Sequence, residues 1–229
     1  VSFAALGAVS ATHTATDDPV DLDLTTGIAA GTTVVVPFGG DSSSVSSVAV
    51  TDSAGNTWDW AYRTAGQGNA GIAWCTLAEP LTSSNIIRLN FSSNNNCAAR
   101  AYAFTGITDA ELVEGTKGYT ESSTFSLALS AASSGVQFCS FLFPYDYFST
   151  TISGWTRFAN IQDGSEQCLM AFYKEVSSGS QTCSKNIGSS IAYLAAGVRL
   201  PYGEATPPTT TTTTPPPGTA SGVNMVQFF

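Results

Sequence analysis

Thr32-Thr33-Val34-Val35-Val36 is β-branched from end to end, the composition of a strand buried on both faces. Downstream of it, residues 45–51 intersperse Val with Ser, Ala and Thr, as a half-buried strand does. Asp52-Ser53-Ala54-Gly55-Asn56 is then dense in turn formers and predicts a hairpin closure. Trp58-Asp59-Trp60-Ala61-Tyr62 follows, with three aromatic rings on one face of a strand, because successive side chains alternate. The same grammar continues along the chain, with further β runs at 72–77, 86–91, 98–104, 124–129, 136–143, 169–176 and 191–200 separated by Ser, Gly, Asn and Thr. No segment sustains a 3.6-residue period with caps at both ends. The sequence therefore predicts an all-β fold over residues 1–204, an antiparallel β-sandwich of jelly-roll or Ig-like type.

An internal echo runs through this domain. Residues 34–38 resemble 136–141, residues 57–62 resemble 154–158 (each centred on a Trp), and Ala73-Trp74-Cys75-Thr76 resembles Ala171-Phe172-Tyr173-Lys174. Both halves pass through a Ser-rich turn to a final run, 98–104 in one and 191–200 in the other. A spacing of about a hundred residues is too long for a solenoid or a propeller blade. Two similar strand sets forming one sandwich is the preferred arrangement, and two tandem small sandwiches the alternative.

Composition narrows the function. The 229 residues hold 8 Lys+Arg against 17 Asp+Glu, a net charge of −9. An acidic chain has no general attraction for phosphate backbones or anionic lipid, so nucleic-acid and membrane partners are not expected. With 43% hydrophobic residues and only 11% charged, the chain is not disordered as a whole. No apolar run approaches the roughly 18 residues of a membrane-spanning helix. Residues 1–11 are mildly apolar without a basic flank, which does not describe an intact signal peptide.

Five cysteines is an odd number, and none stands in a C-x-x-C or zinc-like spacing. Cys97 and Cys183 have Ser-rich neighbours that suggest loops, whereas Cys75, Cys139 and Cys168 lie in or beside β runs. Most or all of them are expected to be free thiols.

Candidate chemistry is sparse. Gly66-Gln67-Gly68-Asn69-Ala70-Gly71 spells G-x-G-x-x-G, but a β run follows it where a dinucleotide site needs a helix, so it predicts a hairpin loop. His13 is the single imidazole, set in a polar stretch, and no G-x-S-x-G elbow accompanies it. Asp52, Asp59, Asp146, Asp163, Glu166 and Glu175 are the carboxylates a glycosidase would need, yet most sit at turns, where Asp serves local backbone donors. In Asp17-Asp18-Pro19-Val20-Asp21-Leu22-Asp23, alternation puts Asp21 and Asp23 opposite Val20, Leu22 and Leu24. A solvated strand face is expected there, and Asp17, Asp18, Asp21 and Asp23 are the residues a calcium ion would use. Trp58, Trp60 and Tyr62 are either the core face of a sandwich strand, the preferred reading, or an exposed ligand platform for stacking sugars. No catalytic residue, metal or cofactor is predicted.

The composition changes at Glu204. Residues 205–217 contain Pro207-Pro208, six consecutive threonines and Pro215-Pro216-Pro217, the composition of an extended polyproline-like linker. Residues 218–229 end Val223-Asn224-Met225-Val226-Gln227-Phe228-Phe229. Val223, Met225, Val226, Phe228 and Phe229 are the predicted partner-binding residues of an anchoring peptide.

Several of these stretches resemble a known family. Val1-Ser2-Phe3 with Gly27-Ile28-Ala29-Ala30-Gly31-Thr32-Thr33-Val34-Val35-Val36, the segment Val50-Thr51-Asp52-Ser53-Ala54-Gly55-Asn56-Thr57-Trp58, then Gly154-Trp155-Thr156 and Ala171-Phe172-Tyr173-Lys174 are similar to motifs of tailed-bacteriophage virion β-sandwich proteins. They run in the family's order over most of residues 1–200, and depart from it at Thr32, where Asp is common. The resemblance implies a non-enzymatic minor tail or capsid decoration protein. Its partners would be the major capsid or tail protein, further copies of itself and a host-surface glycan. Such proteins assemble in a reducing host cytoplasm, where disulfides are rare. A rival reading from another class is a secreted carbohydrate-binding or adhesive β-sandwich module, for which the Thr/Pro stretch would be an interdomain linker and the location extracellular.

Overall fold

The computed structural model describes residues 2–17, 19–41, 45–66, 68–93, 95–108, 110–144, 150–162 and 167–203, and these form antiparallel sheets without a helix. Fifteen strands follow in chain order: β1 (Ala4–Ala8), β2 (His13–Asp17), β3 (Val20–Asp23), β4 (Thr33–Gly40), β5 (Val48–Asp52), β6 (Asp59–Ala65), β7 (Gly68–Thr76), β8 (Ile86–Phe91), β9 (Asn95–Ala99), β10 (Tyr102–Thr105), β11 (Val113–Ala131), β12 (Gly135–Pro144), β13 (Thr156–Gln162), β14 (Gln167–Val176) and β15 (Gly179–Leu200). One large sheet has the order β1-β10-β4-β7-β6, with β9 pairing both β4 and β2; a second has β11-β15-β12-β14-β13; a small third sheet is β3-β8-β5.

The sequence echo corresponds to repeated topology. In each large sheet the first strand of the half (β1, β11) pairs with the last (β10, β15). Next come β4 or β12, then β7 or β14, then β6 or β13. The echoing segments thus occupy equivalent places: 34–38 and 136–141 lie on the central strands, and the two Trp segments lead into the edge strands β6 and β13.

Period two distributes the core. On β4, Val34, Val36 and Phe38 face the small sheet, whose Val20, Leu22, Val48, Val50, Ile87 and Leu89 complete the first core. Val35 points the other way, and with Ile72, Trp74 and Phe104 it meets Val136, Phe138 and Val198 of the second large sheet. Aromatic rings dominate this inner layer, with Phe104 and Phe138 centroids 4.9 Å apart and those of Tyr102 and Phe158 5.0 Å apart, both edge-on. On the far face of the second sheet, Cys139, Phe141, Phe143 and Met170 pack against Phe125, Leu127, Leu129 and Cys183. β4 is buried throughout, as its β-branched run predicts.

Two expectations change in three dimensions. Residues 52–56 do not join paired neighbours, because β5 pairs with β8 and β6 with β7. The turn instead carries the chain from the small sheet to the large one. Second, the Ser-rich segment before the last β run is strand: β11 and β15 form a long ribbon of 19 and 22 residues. Its register shifts between Ser122 and Thr124, where β15 passes from Ile191 to Asn186, and beyond this irregularity the ribbon covers its own sheet. Two glycines permit the approach: a Cβ on Gly197 would lie 2.7 Å from Leu127 Cδ2, and one on Gly115 2.6 Å from Leu129 Cδ2. Ser and Thr suit such a ribbon because its outer side stays in water while the backbone ladder holds it.

Arg199 pins the folded ribbon. Although fully buried, its guanidinium donates to the carbonyls of Leu129 (2.9 Å), Gly179 (3.0 Å) and Ser177 (3.3 Å) and to Gln137 Oε1 (3.0 Å). Leu129 and Gly179 belong to the two arms of the ribbon, Ser177 to the turn before β15 and Gln137 to β12, so one side chain ties three strands together.

Candidate functional site

Asp52 is the hub of the most information-dense motif. Its Oδ1 accepts the amides of Ala54 (2.8 Å), Gly55 (2.8 Å) and Asn56 (3.3 Å), and its Oδ2 accepts Trp58 Nε1–H at 2.8 Å. Gly55 takes φ of +83°, which the turn requires and an L side chain resists. Asn56 then mimics a strand neighbour for Glu79: its Oδ1 accepts the Glu79 amide (2.8 Å) and its Nδ2 donates to the Glu79 carbonyl (3.1 Å). Asp52, Gly55, Asn56 and Trp58 therefore each have an architectural task, and the Asp52 carboxylate is filled by donors. Replacing Asp52 by Ala is expected to lower unfolding stability by about 2–4 kcal/mol, since three amides and an indole lose a charged acceptor. Urea denaturation checks this, and a loss under about 1 kcal/mol would contradict the hub assignment.

The aromatic strip belongs to the core. Trp58 is only 4% exposed, and Trp60 and Tyr62 are half-buried against the same cluster. Tyr62 Oη donates to the Ser46 carbonyl at 2.6 Å. A flat, exposed three-ring platform for sugars is thus not what these side chains form. They instead close the seam between the large sheet's edge and the small sheet.

The acidic run divides as alternation predicts. Val20, Leu22 and Leu24 are buried, while Asp21 and Asp23 face outward. Asp21 forms a two-point pair with Arg88 (2.6 and 2.7 Å), and that guanidinium holds its carboxyl below the usual carboxylate range. Asp18 and the side chain of Asp17 lie outside the described residues, as do Asp146, Asp163 and Glu166. Among the described residues no group of three His, Cys, Asp or Glu side chains is placed to hold a metal ion. His13 lies half-buried on β2 opposite Ala99. Glu175 accepts the Tyr202 hydroxyl at 2.8 Å, and burial followed by this carboxylate pushes the Tyr202 pKa up to about 12. The G-x-G-x-x-G stretch is the β6–β7 hairpin, in which Ala65 pairs with Gly68.

None of the five cysteines is in a disulfide, and all five are buried. Cys97 and Cys183 are strand residues of β9 and β15, not loop residues: Cys97 lies in a buried run with Ala98 and Ala99, and the Ser-rich surroundings of Cys183 belong to a strand with a wet side. Burial pushes the Cys97 thiol up to about 12 and raises that of Cys183, which lies against Cys139. Thiols so held stay protonated and act as small apolar side chains.

What remains exposed and apolar is the edge strand β1. Ala4, Ala5, Leu6 and Gly7 are all exposed, with Leu6 at 59%. β1 pairs only with β10, and its register slips between Ala5 and Gly7, so that Leu6 is bulged outward. At the base of this strand Gly106, at φ +79°, touches the backbone: a Cβ there would meet Ser2 O at 2.6 Å and Phe3 N at 2.7 Å. Gly203 N–H donates to the Gly106 carbonyl at 3.2 Å. The chain therefore leaves the described body beside the start of β1. The sequence reading did not find β1, because Ala and Gly have weak β propensity; its signal was the lack of charge. The predicted anchoring residues Val223, Met225, Val226, Phe228 and Phe229 lie outside the described residues, as does the 205–217 linker.

Comparison with protein-family models, with curated proteins and with solved structures gave no match.

Proposed function

We propose that this chain is a non-enzymatic structural component of a tailed-phage virion. It serves as a minor tail or capsid decoration protein, built as a duplicated β-sandwich and docked on neighbouring subunits through residues 218–229. The observation that carries this reading is the state of the cysteines: five buried thiols, none in a disulfide, divided between two of the cores. A β protein of this size made for an oxidising exterior commonly staples its layers with disulfides, whereas one assembled in a reducing cytoplasm relies on packing. The architectural use of Asp52, Asn56 and Arg199 supports the same reading, since these polar groups spend their hydrogen bonds on holding the chain's own turns and strands together. The rival secreted sugar-binding module draws its support from an exposed aromatic platform, and Trp58 is in the core.

Partners in this reading are the major capsid or tail protein and other copies of the chain, with a host-surface glycan as a further contact. An acidic surface does not recommend nucleic acid or membrane. Deleting residues 218–229 is expected to release the protein from particles while its circular dichroism and melting profile stay unchanged. Incorporation at full occupancy without that segment would defeat the anchoring reading.

A further inference from the structure

We propose that the free edge of β1 is an acceptor for residues 218–229 of a second copy, which add to the large sheet as an extra strand. This rests on the reading that the segment docks on a neighbour, and it names the acceptor. Unprotected sheet edges are pairing templates, and proteins commonly guard them with charge. The other edges carry charges: Asp17 on β2, Asp59 and Arg63 on β6, Arg157 on β13, Glu114, Lys117 and Glu121 on β11, Asp21 and Asp23 on β3, Asp52 on β5. Among the described edge strands of the three sheets, β1 alone has none. Its bulge at Leu6 interrupts the ladder on one side and at the same time lifts an apolar side chain into solvent.

Charge distribution selects the occupant. Every Asp, Glu, Lys and Arg lies between Asp17 and Glu204, so residues 1–16 and 205–229 carry none of them on a chain of net charge −9. These two stretches can approach without the repulsion that acidic surfaces of two copies would otherwise meet. Residues 223–229 supply Val, Met and Phe with no proline, a composition that suits β-strand addition.

Reach selects a second copy over the same one. The chain departs beside Ser2 and Phe3, at the start of β1. The composition of residues 205–217, with five prolines, favours an extended spacer that at about 3.1 Å per residue would span about 40 Å, a length better matched to a second copy than to the strand at its own base.

The test uses the full chain. Sedimentation equilibrium is expected to show self-association, weakened about tenfold or more by Leu6→Lys on the acceptor side and equally by Met225→Lys on the donor side. A synthetic peptide of residues 218–229 is expected to dissociate the wild-type assembly. Hydrogen exchange of the 4–8 amides should slow as protein concentration rises. Self-association indifferent to Leu6→Lys, or β1 protection independent of concentration, overturns the proposal; the latter outcome would mean that the segment covers its own strand. If wild type stays monomeric while deletion of 218–229 still releases it from particles, the β1 acceptor fails and the anchoring reading stands. If association is sensitive to both substitutions yet deletion leaves incorporation intact, the acceptor stands and the anchoring reading fails.

Discussion

Arg199→Ala is expected to lower the unfolding free energy by about 3–5 kcal/mol, one of the two largest single-residue effects in this protein. The guanidinium is buried and serves the carbonyls of Leu129, Ser177 and Gly179 and the amide oxygen of Gln137. Truncation leaves those acceptors in a dry layer without a donor and opens a hole between the ribbon and β12. Each stranded acceptor costs on the order of 1 kcal/mol or more, and lost packing adds to it. Arg199→Met keeps most of the volume but supplies no donor, so it should recover only the packing share. Urea melts give the magnitude. Hydrogen exchange gives the location, because amides of the ribbon's outer arm should lose protection before those of β4 and β7. If Arg199→Met were as stable as wild type, the hydrogen bonds would not be what holds the ribbon down.

Phe38 and Gly71 form the second test. They are register partners on β4 and β7, and the Phe38 ring occupies the place of a Gly71 side chain: a Cβ there would lie 2.1 Å from Cζ. Phe38→Ala is expected to cost about 3–5 kcal/mol, since a fully buried ring leaves a cavity facing Phe91. Gly71→Ala should cost about 1–3 kcal/mol, because the new methyl displaces the ring. In the double variant the ring is gone and the methyl added on β7 meets no obstacle, so the combined loss should fall short of the sum by about 1 kcal/mol or more. Strict additivity in urea denaturation would show that the ring and the glycine are not coupled.

These two sites illustrate where sequence reading stops. Val34-Val35-Val36 announces a strand buried on both faces, and the Asp21/Asp23 alternation predicts which side of β3 meets water; both are local, period-two properties. Gly71 looked like the last letter of a glycine-rich loop, and its role opposite Phe38 depends on a register between residues far apart in the chain. Arg199 carried no signal, because its acceptors are mostly backbone carbonyls brought to it by the folding of the ribbon. The Asp52 motif was legible as a turn, but not as a crossing between layers.

By itself, the sequence determined the all-β class, the doubly buried central strands, the wet and dry faces of strands such as β3 and β5, and a twofold echo that emerged as repeated topology. Each of these follows from alternation and composition within a few residues. Tertiary structure alone decided that the Trp58 strip closes its core against the small sheet, that a Ser-rich segment is a covering ribbon, that Arg199 is buried, and that the chain departs beside the uncharged edge of β1. The physical reason is that alternation tells a strand which of its faces is dry but not which sheet dries it. That choice is made by pairing and packing between residues far apart in the chain, whose free energy no single segment contains.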